Sequence, residues 1–408
     1  MSFCELRLLD RPEPLDDERL STELVERHLV FDAFVGGARR VDLHPLVLSR
    51  EAHRAAVVAA ESAWRDVSAI AAEAFADERE SARYGFADDV VTLARASHGA
   101  GDGASLVRVD LLLDEHARFV ACEVNADCPG GHNEADGLPD LARRAGFRGG
   151  VSPSRVVDAL ADRLGELAVR PNGSPGAVGL LYATAYAEDL QPCALIARAL
   201  KKRGVTAILA PPTAPYEEGD GLAIGGVPID ALYRFFPTEY MEGQRNVAAI
   251  ARAIASGRVR TLSSFSQMYG QSKLAFARAS AAGVSGHLPY SASVEAIDPR
   301  EVSAARAEWV LKRALGRVGE QVFVGALFSD DDWRTVVREV VAARDAGERW
   351  IAQRYVRQRR LASPWGDRYL TLGAYLLDGR FCGYFARLTP QTHASHDALC
   401  VPVFVRVD

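Results

Sequence analysis

From about Asp16 to Ala82, apolar residues recur at spacings of three and four. Stretches such as REAHRAAVVAAESAWRDVSAIAAEAFADERESAR therefore predict a helical scaffold. The pattern then switches to alternation. Ser105 to Gly131, SLVRVDLLLDEHARFVACEVNADCPGG, reads as two strands, and CPGGHNEADGLPD follows as a loop punctuated by Gly and Pro. A helix is expected from about Ser154 to Leu167, and PNGSPG at 171–176 is the clearest linker. Beyond it AVGLLYATA, DLQPCALIARALKKRG and VTAILAP read as strand, amphipathic helix and strand, a βαβ unit, with DALYRFFP as a later strand. In the last third a helix starts at Lys273, and Val310 to Arg313 and Gln321 to Val324 form two strands joined by a glycine-containing turn. WIAQRYV, YLTLGAYLLDG, RFCGYFARL and VPVFVRV close the chain as strands, with a DG turn between two of them. The expected architecture is mixed α/β in three segments: 1–170, a helical scaffold plus the hairpin; 171–262, a small open α/β unit; and 263–408, the lysine, glycine-turn and C-terminal strands.

The hairpin carries the most informative chemistry. Strand side chains alternate faces, so Arg108 and Asp110 point one way, and Glu123 and Asn125 do the same on the second strand. A four-residue loop, DEHA or EHAR, brings both pairs to one common face, whereas a three- or five-residue loop separates them. Two carboxylates, an amide oxygen and a guanidinium in one patch suit a hard, oxygen-ligated cation such as Mg²⁺ and the phosphate it carries.

Composition narrows the function classes. At 408 residues the chain exceeds the size of a single growing core, so two or three units around one cleft are expected. A net charge of −6 argues against sequence-independent binding to nucleic acid. No stretch of about 18 apolar residues spans a membrane, and MSFCELRLLD lacks a leader pattern, so a cytoplasmic location is expected. Six cysteines, Cys4, Cys122, Cys128, Cys193, Cys382 and Cys400, are scattered without paired spacing, which makes reduced thiols the default. Cys128 lies in the loop beside the acidic patch, as an incidental residue or a substrate contact. There is no GxxxxGK[ST] phosphate loop, and GAGDGA at 99–104 leads into a strand instead of a helix. HExxH and zinc-type Cys/His spacing are also missing.

What survives is an acidic pair, Asp110 and Glu123, and later two lysines, Lys273 and Lys312, near a glycine turn. This order resembles the glutathionylspermidine synthase-like, circularly permuted branch of the ATP-grasp ligases, in which the metal-binding strands precede the lysine-bearing ones. R-x-D is matched by Arg108-Val109-Asp110, and E-x-N-A-D-x-P by Glu123 to Pro129. Further matches are Ser272-Lys273, Val310-Leu311-Lys312 with Gly316 to Gly319, the I-x-Q-x-Y-V strand at Ile351 to Val356, and terminal strands that end in Arg387. The resemblance covers roughly 80–408 without the amidase region of the bifunctional synthases, and Cys128 stands where the family usually has threonine.

The resemblance implies that Asp110, Glu123 and Asn125 ligate Mg²⁺ on ATP, and that Lys273 and Lys312 neutralise its phosphates under a turn from Gly316 to Gly319. Gln353, Tyr355 and Val356 would line the adenine, while Arg108 and Arg387 face the γ-phosphate and the reacting acid. It implies ligation of a small-molecule carboxylic acid to an amine through an acyl phosphate, with 313–320 and 389–398 as lids. Acyl transfer to a thiol, with Arg357, Arg359 and Arg360 as a docking patch, and a catalytically silent nucleotide-binding protein are the alternatives. Arg234 reads either as a surface cation or as a carboxylate or phosphate contact. His132, Glu134, His393 and His396 read either as surface loop residues or as groups that orient an amine or take its proton.

Overall fold

The computed structural model describes residues 5–10, 16–35, 37–99, 104–284, 286–316, 321–393 and 398–407. The N-terminal region is helical only in part. Asp17–His28 is capped by the Asp16 side chain, and Arg50–Ala76 is capped by Ser49. Between them the chain is extended at Phe34–Val35, Ala38–Arg39 and Leu46–Leu48, so the continuous helical reading of 16–82 is corrected. The fully buried Leu46–Leu48 pairs with Leu6–Leu8 and, in parallel, with Val403–Val405. Long-range pairing thus overrides local pattern.

A central antiparallel sheet runs in the order Leu399–Val401, Arg380–Thr389, Tyr369–Leu377, Leu106–Leu113, Phe119–Asn125. The alanine face of Arg50–Ala76 (Ala52, Ala56, Ala59, Ala60, Ala63) clusters with its inner residues Val107, Val109 and Leu111. The DG turn between two of its strands has Asp378 and Gly379 both at positive φ, 51° and 77°, as a two-residue hairpin turn requires.

The first hairpin departs from the expected loop length. Its strands end at Leu113 and begin again at Phe119, so five residues, Asp114 to Arg118, make the turn, closed by Asp114 N donating to Arg118 O at 2.9 Å. A bulge then restores the register. Leu111 pairs with Ala121 and Asp110 with Glu123, which leaves Cys122 as the extra residue. Arg108 accordingly pairs with Asn125, and all four polar residues share one face despite the longer loop.

CPGGHNEADGLPD is likewise corrected. Gly131 turns the chain at φ 93°, and a helix, His132–Arg144, starts immediately after it with Pro139 inside. Buried Ala135, Leu138, Leu141 and Ala142, at helical spacing, outweigh the glycine and proline signals.

The parallel sheet has the order Arg260–Leu262, Ala231–Phe235, Ala177–Tyr182, Thr206–Ala210. Connections leave Ala177–Tyr182 towards one side first and the other later, so its carboxyl end, next to that of Ala231–Phe235, is a topological switch point where open α/β sheets bind ligands. The fourth sheet that matters here is antiparallel: Ser291–Ser293, Trp350–Arg354, Trp309–Arg313, Val322–Val324. Trp309 and Leu311 pack on the helix Asp330–Asp345 through Trp333 and Val337, which turns Val310 and Lys312 to the opposite face. One hydrophobic cluster joins Leu24, Leu106, Leu138, Val178 and Tyr233, so the hairpin and the parallel sheet share a core. Among the described residues no helix is long and apolar enough to cross a membrane.

Candidate active site

A cavity of about 620 Å³ lies between the central sheet and the lysine-bearing sheet. The central sheet contributes Arg108, Asp110, Glu123, Asn125, Phe385 and Arg387, and the lysine-bearing sheet Lys312 and Gln353, followed by Tyr355 and Val356. The carboxyl ends of the parallel-sheet strands and the start of the helix His132–Arg144 close its remaining sides.

Asp110 sits at its floor, buried and clasped from two sides. Arg108 donates Nε to Oδ1 at 2.7 Å and Nη2 to Oδ2 at 3.0 Å, and Arg387 donates Nη2 to Oδ2 at 2.6 Å. Burial alone raises a carboxyl group; here the two guanidiniums overcome it and hold Asp110 down to about 2. Asn125 Nδ2 is 3.4 Å from the same Oδ2. Glu123 forms an ion pair with Lys273 Nζ at 2.9 Å, and against the effect of burial Lys273 and Lys312 keep its pKa below the ordinary value.

The lysines are held by backbone as well as by acids. Lys273, at the start of the helix Leu274–Ala281, also donates to Gly316 O at 2.9 Å. Lys312 donates to Gln353 Oε1 at 2.7 Å and to Cys122 O at 3.0 Å, and burial, the largest influence, lowers its pKa. The bulge residue Cys122 thus presents its carbonyl to a cation from the opposite sheet, a role no sequence pattern announced. The Gln353 side chain is occupied by Lys312 and by Ser291 Oγ, to which its Nε2 donates at 3.2 Å. Tyr355 N donates to Glu308 O at 2.8 Å, and Tyr355 and Val356 border the cavity. Gly319 lies outside the described residues, as do the rest of 317–320 and His396, while Gly316 is described and buried.

Arg234 is not a surface cation, and the carboxylate it contacts is that of Asp127. It is buried at 2% exposure against Asp127 at 0%, with Nη1 to Oδ1 at 2.6 Å, and its guanidinium stacks 4.5 Å above the Phe265 ring. Asp127 also accepts from Thr238 N at 2.8 Å and Thr238 Oγ1 at 2.6 Å. Asp127 therefore ties the loop after the hairpin to the parallel sheet.

His132 and Glu134 are not surface loop residues. His132 is fully buried against Tyr375, with ring centroids 5.4 Å apart, and burial together with Arg108 pushes it down to about 3. Glu134 faces the cavity, and burial, reinforced by Asp32, raises it to about 7. His393 and the half-buried Cys128 also line the cavity. Arg357, Arg359 and Arg360 are exposed.

Among the described residues no group of three His, Cys, Asp or Glu side chains converges as a metal site. Mg²⁺, however, keeps several waters and takes one or two protein carboxylates plus substrate phosphates. Two carboxylates held ionised beside an amide, on one face of one hairpin and at the edge of a cavity, fit that requirement.

The two antiparallel sheets enclosing the cavity, with the parallel sheet beside them, define an ATP-grasp fold in which the acidic hairpin precedes the lysine strands in the chain. The glutathionylspermidine synthase preATP-grasp family matches residues 47–406, and the chain belongs to this family. The match points to a synthetase. A glutathione synthetase-like effector from Globodera pallida has a similar structure, with a TM-score of 0.58 at 11% identity over 96% of this chain and 98% of that one. A Methylobacillus flagellatus KT protein assigned as a γ-glutamylcysteine synthetase aligns with a TM-score of 0.41 at 13% identity, over 76% of this chain and 82% of that one. A search of curated proteins finds no match to this chain.

Proposed function

We propose that the protein is an ATP-dependent carboxylate–amine ligase that joins a small-molecule acid to an amine through an acyl phosphate, releasing ADP and phosphate. The observation that carries this reading is the meeting of Asp110 and Glu123 from one sheet with Lys312 from the other across one cavity. In this reading Asp110, Glu123 and Asn125 hold Mg²⁺, which would neutralise phosphate charge. Lys273 and Lys312 bind the nucleotide phosphates with the turn from Gly316 to Gly319, and Gln353 fixes Lys312 while Tyr355 and Val356 border the adenine. Arg108 and Arg387 face the transferring phosphoryl group and the acid. The same reading divides the chain at residues 171 and 263.

The chemistry explains the concentration of cations. A carboxylate is a poor electrophile, and both phosphoryl transfer to it and attack by the amine gather negative charge on oxygen. Fixed cations in a water-poor cleft stabilise such charge far better than solvent does. Asp110 keeps the guanidiniums of Arg108 and Arg387 side by side, and Lys312 is anchored on Cys122 O and Gln353 before any substrate arrives. The direct test is Glu123→Ala: acid-dependent ADP release should disappear while the circular dichroism spectrum stays unchanged, and wild-type turnover would overturn the metal assignment.

A further inference from the structure

Charge stabilisation leaves one requirement of the proposed reaction without a residue. An amine reaches the site as an ammonium ion and is no nucleophile until it loses a proton, so a group at the cavity must accept one. The cavity's carboxylates differ in their readiness for this. Asp110 is clasped by Arg108 and Arg387, Glu123 by Lys273, and Asp32 by Arg40. Among the described residues Glu134 carries no such clasp: Arg40 and Arg108 act on it as more distant charges. It stands in the first turn of the helix His132–Arg144, one turn after Gly130, whose carbonyl accepts from Arg108 Nη1 at 2.7 Å and from the Tyr375 hydroxyl. Glu134 and the guanidinium proposed to face the acyl phosphate are therefore positioned from the same short turn.

Resting on the ligase reading above, we propose that Glu134 is the proton acceptor for the attacking amine. One N–H bond of the ammonium breaks and its proton passes to the Glu134 carboxylate, freeing the nitrogen electron pair. That pair forms the C–N bond, the bond from the acyl carbon to the phosphate oxygen breaks, and phosphate leaves with the electrons and takes the second nitrogen proton. One N–H remains on the amide. The groups facing Glu134 are Asp32 and Arg40 from the extended segment before the central sheet, and Arg108, Tyr375 and the Cys400 thiol from that sheet. Burial is the chief reason its proton affinity reaches the neutral range, with a pKa of about 7, where a base both exists as carboxylate and holds a proton well. His132, two residues earlier, cannot take this part: it is buried, does not line the cavity and stays neutral far below pH 7.

The test uses the full chain with ATP, Mg²⁺ and a panel of free amino acids and short peptides as acids. Polyamines and amino acids serve as ammonium acceptors, and hydroxylamine as an acceptor already neutral at pH 7. With ammonium acceptors, Glu134→Gln should lower kcat/KM on the order of 10²-fold or more, the usual range for a lost general base. Hydroxamate formation and the KM for ATP should stay within about threefold, the acid limb of the wild-type pH profile near 7 should vanish, and Glu134→Asp should restore part of the rate. An equal loss with both kinds of acceptor, or no loss, overturns the proposal. A wild-type protein that releases ADP with no acid in the panel overturns the ligase reading itself, a separate outcome.

Discussion

Replacing Arg234 by Met removes one half of a fully buried ion pair and leaves the Asp127 carboxylate without its guanidinium. In the native protein that carboxylate accepts at 2.6 Å from Arg234 Nη1, 2.6 Å from Thr238 Oγ1 and 2.8 Å from Thr238 N. The guanidinium in turn donates to Phe236 O at 2.9 Å and covers the Phe265 ring. With both side chains at 2% exposure or less, water cannot replace the lost partner, and breaking such a pair costs about 3–5 kcal/mol. Asp127→Asn, nearly isosteric, strands the guanidinium instead and should cost a similar amount. The double variant Asp127→Asn/Arg234→Met carries no buried charge, so its loss should fall well short of the sum of the two single losses. Urea unfolding of all four proteins, with the double-mutant coupling taken from the midpoints at constant slope, measures this. Single losses near or below about 1 kcal/mol, as exposed pairs give, would refute the claim that this pair locks the loop after the hairpin onto the parallel sheet.

Gly373 lies opposite Asp110 in the central sheet, and a Cβ there would come within 2.8 Å of Arg108 Cδ and 3.1 Å of Asp110 Oδ1. Gly373→Ala should therefore displace Arg108, lowering turnover on the order of 10²-fold for a stability loss of only about 1–3 kcal/mol; calorimetry beside steady-state kinetics separates the two. Lys312→Met removes a charge-assisted contact and leaves Cys122 O and Gln353 Oε1 without their donor. The KM for ATP should rise about 10- to 100-fold, as loss of a hydrogen bond to a charged group implies.

The pairing of polar residues on one hairpin face was legible because strand alternation is a local rule. Arg108, Asp110, Glu123 and Asn125 had to share faces pairwise. What fixes their final geometry is not local. The five-residue turn breaks the register and the bulge at Cys122 repairs it, two deviations that cancel and leave no trace in an alternation count. The helix His132–Arg144 was hidden by glycines and a proline, because its stability comes from an apolar face that only the folded core rewards. Arg234 looked like a lone charge in an apolar strand, since its partner Asp127 belongs to a different sheet's loop. Glu134 was visible as a carboxyl but not as a perturbed one, because burial beside Asp32 is a property of three segments meeting.

In the proposed reaction the acid is activated by phosphoryl transfer from ATP. Supplying a carboxylic acid labelled with ¹⁸O in its carboxylate, together with ATP, Mg²⁺ and an amine, and analysing the released phosphate by mass spectrometry measures that step directly. Activation as an acyl phosphate gives ADP as the nucleotide product and one ¹⁸O atom transferred from the acid to each phosphate released. Phosphate free of ¹⁸O, or AMP and pyrophosphate as products, would contradict it.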